Sequence, residues 1–488
     1  MKPNTEIIEE YALRHGFYRV HILQDGTYNI TLSSFPSYKV KEALALIPYC
    51  FDLPYVMEQR DGVVTSLARK LGLSSADVEW LRAKLSGYDV LYPLMLDPKV
   101  TDIKVMANRQ VLVRHQEYGD LKVALQGKVL VLRDYEVRDL AIRLASRAGT
   151  TIHVRKPLVD GVKLGRDRVV ASIMDPPYVT IRKFPRHPWT LHKLVAKRML
   201  TARTAALLWL LNEYKVPIMI YGPMGSGKTS LAGAIIATVK PRASIMIIQD
   251  IPEINIAHPY AHYLYPTPII EYSKLLSFAL RTGSEYLIVN EVRNKEEATT
   301  FVQAVNTGHG GVTTIHAESV RAIVNRLRHY GLTDSDISTI RVFVRTSTFE
   351  KRVKGMVAQD RKVLKVEHLD RFNKGVPSFS TFIEYDREGD VWIERAESLL
   401  LEVLHNRGYN NDVIRAKLKL REMWLLTLAK HYTLDRFIET SKEWYVSLKE
   451  FYSKEGKLLM LIDEPDELQS RLMVCVNNVK GMWSERTL

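Results

Sequence analysis

The residues with the clearest chemical capability are Gly222-Pro223-Met224-Gly225-Ser226-Gly227-Lys228-Thr229, which fit the pattern G-x-x-x-x-G-K-S/T. Glycines at this spacing let the backbone fold round so that successive N–H groups point at one centre, the arrangement that suits phosphate oxygens. A helix starting at the loop would add its partial positive charge and carry the cradle on through Ser230. Lys228 then reaches the outer phosphates, and the Thr229 hydroxyl reaches a Mg2+ ion. The setting agrees, because the apolar run Val216-Pro217-Ile218-Met219-Ile220 comes before the loop and the helix-forming Leu231-Ala232-Gly233-Ala234-Ile235-Ile236 comes after it.

Two further strand ends offer acids. Tyr286-Leu287-Ile288-Val289-Asn290 runs into Glu291, a carboxylate placed to stand beside Mg2+. Ile245-Met246-Ile247-Ile248 runs into Gln249-Asp250-Ile251-Pro252-Glu253, where ligands of open α/β sheets bind. Thr307-Gly308-His309-Gly310-Gly311 and Val312-Thr313-Thr314-Ile315-His316-Ala317 place two histidines around a short strand. Singly, a strand ending in an acid is common, and a lone histidine in such a place is more often structural. Together between residues 222 and 317, these features indicate nucleotide hydrolysis: transfer of a phosphoryl group to water, driven by positioning and charge neutralisation.

The elements that must position them come from the hydrophobic pattern. With 488 residues, 46% of them hydrophobic, the chain is expected to form more than one domain. From 1 to 190, short alternating runs such as Asp102–Met106 and Val111–Arg114 mix with helix signals. The best marked helix is capped by Asp134, presents Val137, Leu140, Ala141, Leu144 and Ala145 on one face and ends at Gly149. Pro176-Pro177, Pro185 and Pro188 read as a linker. From 191 to 350, apolar strands alternate with helices, which predicts a parallel sheet with crossover helices. From 351 to 488 a basic, strand-like stretch leads into amphipathic helices, with Leu399, Leu400, Val403 and Leu404 on one face and Gly408 as a stop.

Composition narrows the function classes. No apolar run is long enough to span a bilayer, and the acidic N-terminal stretch lacks the pattern of a signal peptide, so a cytoplasmic location is expected. Cys50 and Cys475 lie at opposite ends and form neither a disulfide framework nor a zinc module. A formal charge of +14 suits anionic lipid, nucleic acid or an acidic partner, and selects none of them.

The order of these motifs resembles the type II and type IV secretion ATPase superfamily, and most nearly its archaeal pilus and archaellum branch. The specific pieces are the phosphate loop, an aspartate box at 249–253, a Walker B stretch from Leu280-Arg281 to Glu291-Val292-Arg293, and a histidine box at 307–317. Val100-Thr101-Asp102-Ile103, Arg114–Gly119 and Tyr178–Phe184 are similar to archaeal N-terminal signatures, and Leu404–Tyr409 with Leu420–Met423 to archaeal C-terminal ones. The resemblance implies an α/β architecture: a RecA-like P-loop core, a separate α/β N-terminal domain and a helical C-terminal extension. It implies ATP and Mg2+ as cofactors, a homohexamer at the inner face of the cell membrane, a polytopic membrane platform as partner and pilin subunits as indirect ones. By the same resemblance, Glu253 would deprotonate the attacking water, Glu291 would hold Mg2+ and His316 would sense the outer phosphate, with His309 supporting its segment. Arg168, Arg182 and Arg166 would neutralise developing charge, and Arg281 and Arg293 could act similarly. Two departures stand out: Gln249 where the family often has Glu, and Asn290 where it usually has Gly. A DNA-translocating motor is the main alternative, although no nucleic-acid module is visible and DNA is not the expected partner. A nucleotide-binding subunit without turnover is the other.

Overall fold

Ile218–Tyr221, Ile245–Ile248, Tyr286–Val289 and Val312–Ile315 form strands in which every residue is buried. A strand with no side left for solvent needs cover on both faces, which crossover helices supply to a parallel sheet. The computed structural model describes residues 6–50, 60–184, 188–394 except 257, 268 and 354, then 401, 403–404, 410–430, 444, 447–453 and 455. The chain divides into two compact units, Met1–Arg186 with Glu350–Gln359, and His187–Phe349 with Asp360–Leu488.

The first unit is built on one sheet. Its strands are β1 (Ile7–Leu13), β2 (Tyr18–Leu23), β3 (Thr27–Leu32), β4 (Val100–Met106), β5 (Leu112–His115), β6 (Gly119–Leu125), β7 (Lys128–Val129), β8 (Leu158–Leu164), β9 (Asp167–Ser172) and β10 (Tyr178–Arg182). Their order is β1-β2-β3-β6-β5-β4-β10-β9-β8, with β7 paired to β6. Neighbours run antiparallel except β3 and β6. Helix α1 (Asp134–Arg147) lies against β8, β9 and β10 and buries Val137, Leu140, Ala141, Leu144 and Ala145, the face expected from the sequence. Its start differs from expectation. Asp134 is already helical, and the Glu136 carboxylate accepts the Arg133 N–H at 2.7 Å, so the reaching acid of the first turn serves where a cap was expected.

The second unit holds the parallel sheet. Its strands are β11 (Ile218–Tyr221), β12 (Ile245–Ile248), β13 (Ala261–Leu264), β14 (Tyr286–Val289), β15 (Val312–Ile315), β16 (Val342–Val353), β17 (Met356–Asn373), β18 (Val376–Asp386) and β19 (Val391–Glu394), with residues 350–353 of β16 and 356–359 of β17 counted in the first unit. β11 lies between β15 and β16, and β12 between β13 and β14, all parallel. Backbone bonds from Leu287 N to Gly310 O (3.0 Å) and from Val292 N to Thr314 O (2.8 Å) join β14 to β15. The continuous order is therefore β13-β12-β14-β15-β11-β16, the strand arrangement of a RecA-like core with the phosphate loop leaving its first strand. The expected domain edge between 350 and 351 falls inside β16, because the antiparallel strands β17 to β19 extend the same sheet.

Helices α2 (Ala202–Glu213), α3 (Lys228–Ile236), α4 (Tyr272–Arg281), α5 (Lys295–Asn306) and α6 (Val320–His329) clothe this sheet, and α7 (Asn411–Lys430) packs along α2. The predicted stretch from Leu399 to Gly408 lies mostly outside the described residues, as do Pro185, Cys475 and the side chain of Cys50. Among the described residues, no helix is long and apolar enough to cross a membrane.

Candidate functional site

The loop between β11 and α3 takes its shape from its glycines. A Cβ on Gly222 would stand 2.2 Å from the Thr346 carbonyl oxygen, so nothing larger fits where the loop leaves the sheet. Gly227, at φ +88°, turns the chain into α3 through the left-handed region that glycine enters without strain. The first intrahelical bond runs from Leu231 N to Gly227 O at 2.9 Å. The N–H groups of Lys228, Thr229 and Ser230 therefore face outward at the positive end of the helix dipole. Ser226 braces the turn from within, bonding Pro223 O and Thr346 Oγ1 at 2.8 Å each. Arg361, on β17, fixes the outer side by donating from Nε to Gly225 O at 2.8 Å. Met224, at the tip, is exposed.

Around this loop the strand ends converge. Lys228 is buried, and its ammonium donates to Gly222 O (3.1 Å) and Pro223 O (2.9 Å) and meets His316 Nδ1 at 3.3 Å. Burial pulls its pKa down to about 8, against the opposing pull of Glu291 and Glu253. Thr229 Oγ1 donates to Glu253 Oε2 at 3.3 Å, and Asn290 Nδ2 lies 3.4 Å from the same oxygen. Glu291 accepts from Arg293 Nε at 2.9 Å and faces His316 Nε2 at 3.2 Å. Burial and the neighbouring Lys228 hold His316 below its ordinary pKa, so it is neutral at pH 7. Its surroundings fix the tautomer: Nε2–H donates to Glu291 and bare Nδ1 accepts from Lys228. Arg293 also pairs with Asp250 at 2.8 Å, and Tyr272 donates to Asp250 at 3.0 Å.

Gln249 does something its sequence position did not reveal. Fully buried, it accepts from Ile254 N at 2.9 Å and donates to Ile254 O at 3.1 Å, clasping the loop that carries Glu253. A glutamate could make only the first of these bonds at neutral pH. Gln249 thus shapes the loop, and its neutrality is a requirement of that clasp.

The structure gathers Lys228, Thr229, Glu253, Glu291, His316 and Arg293 in one place. It does not gather His309, which lies beyond the opposite end of β15 from His316 and bonds Thr307 Oγ1 (2.9 Å) and Ala304 O (3.2 Å) at the end of α5. Arg281 is exposed at the last turn of α4, the end away from Tyr272. Arg168, Arg182 and Arg166 belong to the first unit, where Arg182 pairs with Asp102 at 2.9 Å and Arg168 with Asp160 at 3.7 Å. Arg361 was missed in the sequence because no local pattern marks it.

The donor set has the character Mg2+ prefers. Thr229, Glu253 and Glu291 present hard oxygens, and Mg2+ in phosphate-binding sites takes one or two protein ligands beside phosphate oxygens and water. Among the described residues, no group of three or more His, Cys, Asp or Glu forms a metal cage without such phosphates.

A family model described as "Type II/IV secretion system protein" matches residues 169–364, a span that contains every member of the cluster. An uncharacterised protein of Methanocaldococcus jannaschii is 30% identical over 66% of this chain and 60% of its own length. The chain thus spans less than two thirds of that relative. The conjugal transfer protein TrbB of Rhizobium radiobacter is 30% identical over 46% of this chain and 71% of its own length. Among solved structures, the ATPase DotB of Yersinia pseudotuberculosis aligns over 75% of this chain and 94% of its own at 16% identity and a TM-score of 0.45. With the motif cluster inside the matched span and a relative covered over more than two thirds of its length, the chain belongs to the type II/IV secretion system protein family.

Proposed function

We propose that the chain is an ATPase that hydrolyses Mg-ATP as the motor of a pilus-assembly or secretion machine. The observation that carries this reading is the meeting of Lys228, Thr229, Glu253, Glu291 and His316 around an outward-facing helix N-terminus. In this reading the amides of 225–230 and the Lys228 ammonium take the β- and γ-phosphates, exchanging the loop carbonyls that Lys228 now bonds for phosphate oxygens. Thr229 and Glu291 would hold Mg2+, which draws negative charge off the phosphates when bound. Glu253 takes a proton from the attacking water, and His316, bonded to both Lys228 and Glu291, reports the outer phosphate to its strand end. Arg293 keeps Glu291 and Asp250 aligned.

The finer setting is part of the same proposal: a homohexamer on the cytoplasmic face of a membrane, docked on a polytopic platform and moving pilin subunits through it. The Methanocaldococcus relative supports an archaeal host, and the basic surface favours a position near anionic lipid. The relative named for conjugal transfer supports a second reading, in which the machine serves DNA exchange; hydrolysis stimulated by DNA would favour it.

Replacing Glu253 tests the chemistry. Glu253→Gln should lower kcat by about 100-fold or more while Mg-ATP still binds. Equal rates in the two proteins would remove Glu253 from its role, and a folded chain that takes up no adenine nucleotide in calorimetry would end the ATPase reading.

A further inference from the structure

Asn290 sits where the two catalytic strand ends meet, and its backbone leaves it no freedom. Its N–H donates to Ile248 O on β12 at 3.1 Å, and its carbonyl accepts from Thr314 N (3.2 Å) and Thr314 Oγ1 (2.9 Å) on β15. The side chain is 2% exposed. Its Nδ2 faces Glu253 Oε2, while Oδ1 is buried without a hydrogen-bond partner. The carboxylate settles which end of the amide is which, since the reversed orientation would set two acceptors against each other. A buried acceptor left bare is costly, so its presence calls for a partner of its own.

Glu253 points to that partner. Its Oε2 already receives Thr229 Oγ1 and Asn290 Nδ2, which leaves Oε1 as the oxygen to meet a water. The bare Oδ1 belongs to the same amide whose Nδ2 meets Glu253, so one side chain can both steady that carboxylate and accept a hydrogen bond from a water beside it. We propose that Asn290 positions the attacking water: its N–H group steadies Glu253, and its carbonyl oxygen accepts the water's second hydrogen. This rests on the ATPase reading above. As the water oxygen bonds to the terminal phosphorus, the bond to the bridging oxygen breaks and its electron pair leaves on ADP. The water's other proton passes to Glu253. Asn290 exchanges no proton and contributes orientation alone.

The unsubstituted chain, Asn290→Ala and Asn290→Asp are to be compared for kcat, for affinity towards a non-hydrolysable ATP analogue with Mg2+, and for melting temperature. Asn290→Ala should lose about 10- to 100-fold in kcat with analogue affinity within threefold of wild type. Asn290→Asp, which keeps the shape but turns a carboxylate towards Glu253, should lose at least as much. If Asn290→Ala melts too low to assay, Asn290→Ser decides by the same split between kcat and affinity. Equal loss of kcat and affinity would mark a merely structural residue and overturn the proposal. So would wild-type rates in Asn290→Ala. An inactive wild type would overturn the ATPase reading beneath it, and the two failures are thereby distinguished.

Discussion

Two buried cations in the second unit are held in opposite ways. Arg421, on α7, is fully buried between Glu213 of α2 and Glu455, and its guanidinium lies 5.1 Å from the Trp209 ring and 5.4 Å from Phe451. Burial alone would lower its pKa, and the two carboxylates reverse that and raise it. Burial alone would likewise push Glu213 up, and Arg421 with Lys417 pulls it below the usual range. Lys228 has acids nearby and donates to carbonyls and an imidazole, yet its pKa falls to about 8. One charge is matched and holds helices together. The other is under-compensated within the chain, which is the condition of a group built to receive an anion.

The sharpest way to break this contrast is to remove each charge. Arg421→Met should destabilise the protein by about 3–5 kcal/mol, because Glu213 and Glu455 stay buried and unpaired. Lys228→Met should leave the melting temperature equal or higher while nucleotide affinity falls by roughly two orders of magnitude. Matching losses of stability in the two variants, read by denaturant titration, would erase the distinction.

Titration sharpens it further. In the proposed reading Lys228 binds phosphate as an ammonium, and bound phosphate would raise its pKa above the free value of about 8. Affinity is then full below that pH and falls by about tenfold per unit above it until the bound-state pKa is reached. The sign cannot come from the triphosphate, which gains charge as pH rises. Calorimetry at pH 8 in buffers of different ionisation enthalpy should show about half a proton taken up per nucleotide; an affinity flat from pH 7 to 9.5 would refute it.

The smallest effect is expected at Gln249. Gln249→Glu should cost about 1–3 kcal/mol, because a buried carboxylate cannot donate to Ile254 O. It should lower kcat more than affinity, since it loosens the loop under Glu253. A variant as stable and active as wild type would mean the clasp is dispensable.

Much of this contrast could be read in advance on one side only. The phosphate loop, its flanking strand and helix, and the acids at 253 and 291 announce themselves because each is a local pattern, and the fully apolar runs of β11, β12 and β14 mark a covered parallel sheet. The role of Gln249 was hidden because charge at a strand end is visible in a sequence and a two-bond clasp across five residues is not. His309 was associated with His316 because the two are close in sequence, and an intervening strand set them at opposite ends. Arg361 and Arg421 reach their partners from 136 and 208 residues away, and long-range pairs of that kind leave no periodic trace.

The pairing of β14 with β15 has a final consequence. The bridges Tyr286 to Gly310 and Glu291 to Thr314 set how these strands align, and neighbouring strand residues point to opposite faces. Asn290 and Glu291 are adjacent, so a slip of a single residue would interchange an amide and an acid at the same point in space. The sheet is therefore a phase standard for the site: its hydrogen bonds decide which of two neighbours faces Glu253 and which faces Arg293 and His316.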